Sequence, residues 1–175
     1  MRPERPRPRP KAPLTRPARA RRRQVLVVGI GNPGRGDDGL GPAAAERLEA
    51  LRLAGVTCDA NYQLSIEDAL ACSRHDLVVF VDAARGLRVP FTWKEVRPEA
   101  AVPALTHALG PGAVLAVCSA LYSRTPRARL LAIRGHRWGV GEGLSPRAKE
   151  NLGRAVRFLE GFLREPKAER KGDAP

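Results

Sequence analysis

Residues 24–41 read QVLVVGIGNPGRGDDGLG. Gln24–Ile30 is a short, β-branched, almost wholly apolar run, the composition of a strand covered on both faces. Six glycines follow within Gly29–Gly41. Residues 42–54 then carry Ala44, Ala45, Leu48, Leu51 and Leu53 at helix-like spacing. A buried strand, a tight glycine-rich turn and a helix make the opening half of a βαβ unit, which commits the chain to a parallel sheet.

The rest of the chain continues the alternation. Val56–Ala60 reads as a second, edge-ward strand. Ser65-Ile66-Glu67-Asp68 resembles a capping box and opens a helix through Ser73. Asp76–Asp82 (DLVVFVD) is the clearest further buried strand, and Phe91–Val96 alternates like a strand. Pro111–Leu121 is rich in Ala, Leu and Val and reads as a helix. Arg127–Arg134 reads as the last strand. Ser145 is an N-cap with Pro146 at the first helical position, opening a helix to Leu163. Its apolar stripe is Leu152, Ala155, Phe158, Leu159, Phe162 and Leu163. The expected fold is an α/β/α three-layer sandwich with a mostly parallel, twisted sheet of about five strands, phosphorylase/hydrolase-like in architecture.

Charge separates this body from its ends. The chain of 175 residues carries a net +13, but residues 1–24 hold ten Lys/Arg against one Glu, which is +9. Residues 164–175 contribute +1, leaving only +3 on residues 25–163. Six prolines and mutually repelling arginines keep the N-terminal stretch from burying a core. The expected organisation is a disordered basic Pro/Arg-rich tail over 1–23, a single α/β domain over 24–163 and a flexible C-terminal tail over 164–175. The basic tail has no aromatic residue for base stacking, so no specific nucleic-acid partner is expected. No apolar run reaches the roughly 18–20 residues of a membrane span. Cys58, Cys72 and Cys118 are odd in number and lack CxxC spacing. A disulfide framework is therefore not expected, and a cytoplasmic location is.

The glycine loop admits three readings. Gly29-x-Gly31-x-x-Gly34 after a strand, with Asp59 near the end of the next, has the form of a dinucleotide fingerprint. Pro33 removes a backbone donor from that loop, however. Asp37 and Asp38 would also repel a pyrophosphate at the helix N-terminus. Gly29-Ile30-Gly31-Asn32-Pro33-Gly34 resembles the opening of bacterial peptidyl-tRNA hydrolases, making a peptidyl-tRNA hydrolase-like esterase the alternative. That family places its catalytic histidine just after the glycine loop, whereas Arg35–Gly39 contains none.

The third reading covers nearly the whole body. Gly29-Ile30-Gly31-Asn32, Asp37-Asp38-Gly39-Leu40-Gly41, a strand ending in Asp82-Ala83, Thr106-His107 and the Gly139–Pro146 stretch follow one another in a distinctive order. In that order they resemble the hydrogenase maturation proteases, endopeptidases that trim the C-terminus of nickel–iron hydrogenase large subunits. The Tyr62–Asp68 segment resembles one branch of that family. The resemblance implies that the partner is a hydrogenase large-subunit precursor and that its nickel is a recognition element. It further implies that Asp38, Asp82 and His107 ligate this metal.

The residues fit that assignment on chemical grounds. Ligands of open α/β sheets bind beyond the carboxyl ends of the strands. Asp38 follows the first strand, Asp82 ends the strong central one and His107 precedes a helix. Two carboxylates and an imidazole suit nickel, and another divalent ion such as zinc as well. Asp38 is the candidate general base, with water activation by the metal as the alternative. A non-proteolytic, nickel-binding accessory role is compatible with the same ligands. Each residue also has a plainer reading. Asp37 and Asp38 can cap the first helix, and we assign capping to Asp37 and binding to Asp38. Asp82 can cap a loop, Glu142 can be a solvated loop carboxylate, and His75 and His136 read as surface residues.

Overall fold

The computed structural model describes residues 22–100 and 109–165. Of the expected tails, residues 1–21 and 166–175 lie outside this range. Among the described residues five strands and four helices follow in the order β1 (Val25–Ile30), α1 (Leu40–Ala50), β2 (Val56–Asn61), α2 (Asp68–Ser73), β3 (Leu77–Ala84), β4 (Phe91–Val96), α3 (Pro111–Tyr122), β5 (Arg127–Arg134) and α4 (Pro146–Arg164). A single 3-10 turn, Gly36–Gly39, leads into α1. The strands form one sheet in the order β2-β1-β3-β5-β4. The first four run parallel, and β4 closes the edge antiparallel to β5.

Both faces of the sheet are covered, because the central strands are apolar on both. Val25 and Val27 of β1 and Leu77, Val79 and Val81 of β3 point to one side. There they meet Leu40, Ala44 and Leu48 of α1 and Leu152, Ala155 and Leu159 of α4. Leu26, Val28 and Ile30 with Val78 and Phe80 point to the other side, against Ala69 and Cys72 of α2 and Val114, Leu115 and Cys118 of α3. Each fully buried Val, Leu, Ile or Phe among them contributes about 1.5–3 kcal/mol. The edge strand β4 is tied to α4 by aromatic rings. Trp93 lies 5.4 Å from Phe158 and 5.1 Å from Phe162, both edge-on, and Phe91 lies 5.1 Å from Phe158. This is the three-layer sandwich expected from the alternation.

Several boundaries differ from the sequence reading for local reasons. α1 begins at Leu40, so Pro42 sits in its first turn, where a missing N–H costs nothing. It stops at Ala50 because Arg52 turns into the left-handed region, with φ 47°. α2 begins only at Asp68, three residues after the expected Ser65. The Asp68 carboxylate accepts from the Ser65 N–H at 2.7 Å and from its hydroxyl at 3.2 Å. The serine oxygen thus donates to a carboxylate instead of capping a helix. β3 runs on to Ala84, which places Asp82 inside the strand, opposite Ala132 of β5. β5, last in sequence, lies inside the sheet.

The start of α1 rests directly on the sheet. A Cβ at Gly41 would overlap the Ile30 carbonyl oxygen and lie 2.5 Å from that of Val81, and one at Gly29 would overlap the Gly41 carbonyl. Only glycine lets the helix start sit over the carboxyl ends of β1 and β3. Gly41→Ala is therefore expected to cost about 3 kcal/mol or more. That corresponds to a fall in Tm of roughly 6–12 °C for a chain of this size. Gly161→Ala, in α4 where an added methyl meets nothing within 4 Å, should instead stabilise by up to about 1 kcal/mol. Thermal denaturation of the two variants side by side checks both signs.

Candidate active site

The site is assembled by the turn between β1 and α1. Gly31 has φ 133°, and a side chain there would run into the Asp38 carbonyl. The chain doubles back, and the Asn32 N–H donates to Asp38 Oδ2 at 3.0 Å. The Asn32 side chain accepts from the Gly34 N–H at 2.8 Å, and its carbonyl accepts from the Arg35 N–H at 3.0 Å. Asp38 is left half-buried at the carboxyl end of the sheet.

Its neighbour Asp37 points the other way and is fully buried. The N–H groups of His136 (2.6 Å) and Arg137 (2.8 Å) donate to its Oδ2. The Ser145 N–H donates to Oδ1 (2.6 Å) and the Ser145 hydroxyl to Oδ2 (2.8 Å). Burial pushes this carboxyl up. The backbone donors of Ser145, Arg137 and His136 and the Ser145 hydroxyl outweigh that and hold it below the usual carboxylate range. Two further bonds lock the same two loops: Asp37 N–H to the Arg137 carbonyl at 2.8 Å and Gly141 N–H to the Gly34 carbonyl at 2.9 Å. Asp37 therefore does not cap α1, as the sequence reading assigned. It fastens the β1–α1 turn to the loop between β5 and α4. Ser145 does cap α4, accepting from the Ala148 N–H at 3.3 Å while donating to Asp37.

Asp82 lies on β3, beside the strand that carries the turn. It is half-buried, and its Oδ1 accepts from the Ala83 N–H at 2.7 Å. Its pKa is pushed up to about 6, first by burial and further by the negative charge of Asp38, against the pull of the Ala83 bond. The fold thus brings Asp38 near enough for its charge to act on Asp82. His107, the third residue singled out by the sequence, lies outside the described residues. The chain resumes at Leu109, whose N–H donates to the Leu64 carbonyl at 2.9 Å. Among the described residues no three His, Cys, Asp or Glu side chains form a metal-binding group.

Solved structures share this fold. A NiFe hydrogenase maturation protease, HycI from Thermococcus kodakarensis KOD1, superposes with a TM-score of 0.65 over 83% of this chain and 96% of its own, at 24% sequence identity. An endopeptidase from Escherichia coli, solved in solution, gives 0.61 over 81% and 92% at 24% identity. The hydrogenase maturating endopeptidase HybD from E. coli gives 0.60 over 81% and 92% at 20% identity. The chain has the hydrogenase maturation protease fold. No family model and no curated protein matches the sequence.

Within that fold, two residues read as surface histidines are only partly exposed. The His136 ring Nε2 lies 3.2 Å from the Asn151 amide nitrogen, which also donates to the Arg134 carbonyl. His75 Nδ1 lies 2.8 Å from the Ala71 carbonyl. Glu142 is exposed on the loop tip, as expected. The Ser145 side of the Asp37 clamp had no signal in the sequence, because it joins residues 108 positions apart.

Asp37 and Asp82 should respond to pH with opposite signs. Asp37 has a depressed folded pKa, so its contribution is complete above its unfolded value and disappears as pH falls through the folded one. Asp37→Asn should cost about 3 kcal/mol or more at pH 7, with the difference shrinking below about pH 4. Asp82 has a raised folded pKa, so ionising it destabilises the fold increasingly between about pH 4 and 6, and fully above that. Asp82→Asn should stabilise the protein at pH 7.5 by up to about 3 kcal/mol and have little effect near pH 4. Urea denaturation at both pH values checks the pair.

Proposed function

We propose that this chain is an endopeptidase that removes the C-terminal extension of a nickel-loaded hydrogenase large-subunit precursor. The observation that carries the reading is the pairing of Asp38 with a half-buried Asp82 at the carboxyl edge of a sheet with this fold. Two carboxylates forced together form a site that gains from a divalent cation, because the cation removes their repulsion and the burial cost together. The substrate brings that cation. Asp38 and Asp82, with His107 as the third donor, take hold of the precursor's nickel and so fix the adjoining peptide in the site.

Positioning of this kind supplies a large part of a rate enhancement. It also makes cleavage conditional, since a precursor without nickel offers the carboxylates nothing to bind. Asp38, more open than the clamped Asp37 beside it, is the group placed to take a proton from the attacking water. The glycine loop cannot perform peptidyl-tRNA hydrolysis in that family's manner, because Arg35–Gly39 supplies carboxylates where a histidine is needed.

Intact mass of a nickel-loaded large-subunit precursor, before and after mixing with this protein, tests the reading. A short C-terminal peptide should be lost from loaded precursor and retained by unloaded precursor. Asp38→Asn and His107→Ala should each slow trimming by about 100-fold or more while leaving the thermal transition cooperative. Unchanged trimming by either variant would remove that residue from the mechanism. No mass change with demonstrably loaded precursor would contradict the endopeptidase reading.

A further inference from the structure

Three loops surround the carboxylate pair, and their charge is one-sided. Residues 31–36, 85–90 and 135–145 carry four arginines, namely Arg35, Arg85, Arg88 and Arg137. Apart from the site aspartates themselves, the only acidic residue on these loops is Glu142. Arg35 lies three positions before Asp38 and Arg85 three positions after Asp82. Arg137 sits on the loop clamped by Asp37. All three are exposed.

Arg35 and Arg137 do their structural work through the backbone, which frees their side chains. The Arg137 N–H and carbonyl bond Asp37, and the Arg35 N–H and carbonyl bond Asn32 and Asp38. Among the described residues none of the three guanidinium groups makes an ion pair. The Arg85 guanidinium is held 4.3 Å over the Trp138 ring, a cation–π contact that fixes its position without neutralising it. Exposed guanidiniums with no ion pair among the described residues are a ready receptor for carboxylates, and Arg presents a fork that matches them.

We propose that Arg35, Arg85 and Arg137, with Trp138 beneath Arg85, form a specificity subsite that binds acidic side chains on the peptide removed from the precursor. The proposal rests on the endopeptidase reading and adds the chemistry of the substrate segment to it. The subsite draws acidic residues of the extension to the rim. There they are kept away from Asp38 and Asp82, whose charges would repel them, and the scissile bond is left over the pair. An acidic peptide fits better than a nucleic acid. Asp38 and Asp82 interrupt the basic surface, and the Trp138 face is occupied by Arg85 instead of being open for base stacking.

The test uses the full chain and a fluorescently labelled peptide bearing three glutamates, its glutamine counterpart and a single-stranded RNA of equal charge. The acidic peptide should bind about tenfold more tightly than the neutral one at low salt, a ratio that collapses near 0.5 M salt. In the double variant R85Q/R137Q, whose backbone bonds are untouched, the ratio should fall to about twofold. A parallel arm follows trimming of loaded precursor with its native extension and with that extension's Asp and Glu changed to Asn and Gln. The double variant should raise KM for the acidic form and leave KM for the neutral form within about twofold. Equal affinity for the two peptides, a preference that survives in R85Q/R137Q, or tighter binding of the RNA would overturn the subsite even if trimming is efficient. Charge-selective peptide binding without any trimming would overturn the endopeptidase reading and leave the subsite standing.

Discussion

One buried carboxylate holds the functional end of this molecule together. Asp37 has no contact with solvent, and it collects three backbone N–H groups and a hydroxyl from residues about a hundred positions further along the chain. Four donors converging on one anion offset the cost of burying it, and they make the arrangement all-or-none. If that anion is lost, the β1–α1 turn, the β5–α4 loop and the N-cap of α4 lose their common fastening point. The positions of Asp38 on the β1–α1 turn and of Arg137 on the β5–α4 loop depend on those loops being held.

The same clamp explains how adjacent aspartates can have unlike roles. Once Asp37 is turned inward to the Ser145 side, the 3-10 turn points Asp38 toward β3. The close seat of Gly41 on β1 and β3 then fixes how near Asp38 comes to Asp82. The outcome is a half-buried Asp82 that feels the charge of Asp38 across the strand ends, and the core sustains the cost. Tightly packed β1 and β3, covered by α1 and α4 on one face and by α2 and α3 on the other, supply the stability that such a pair consumes. Unfavourable electrostatics sustained by a rigid frame are what a cation-recognising site requires.

The fold was legible because its signals are local. VLVVGI and LVVFV can only be strands buried on both faces, and Ser145-Pro146 marks a helix start on its own. What escaped the sequence was set by distant partners. The doublet Asp37-Asp38 offers two equivalent carboxylates at a helix start, and which one is free depends on residues 136, 137 and 145. Ser65 carries a helix-start pattern, but its hydroxyl is drawn to Asp68, and α2 begins late. Asp82 was found by position at a strand end, yet β3 extends past it through pairing with β5. Its raised pKa follows from burial and from Asp38, which only the assembled sheet brings near. The Arg85–Trp138 contact joins two loops and has no sequence pattern.

The central claim is that this chain's carboxylate pair takes hold of nickel carried by the substrate. Nickel-edge X-ray absorption on the loaded precursor, alone and in complex with this protein, tests it most directly. The account predicts that complex formation adds oxygen and nitrogen ligands to the nickel, and that the added oxygen signal is lost with Asp38→Asn or Asp82→Asn. An unchanged nickel coordination sphere in a complex that goes on to be trimmed would contradict it.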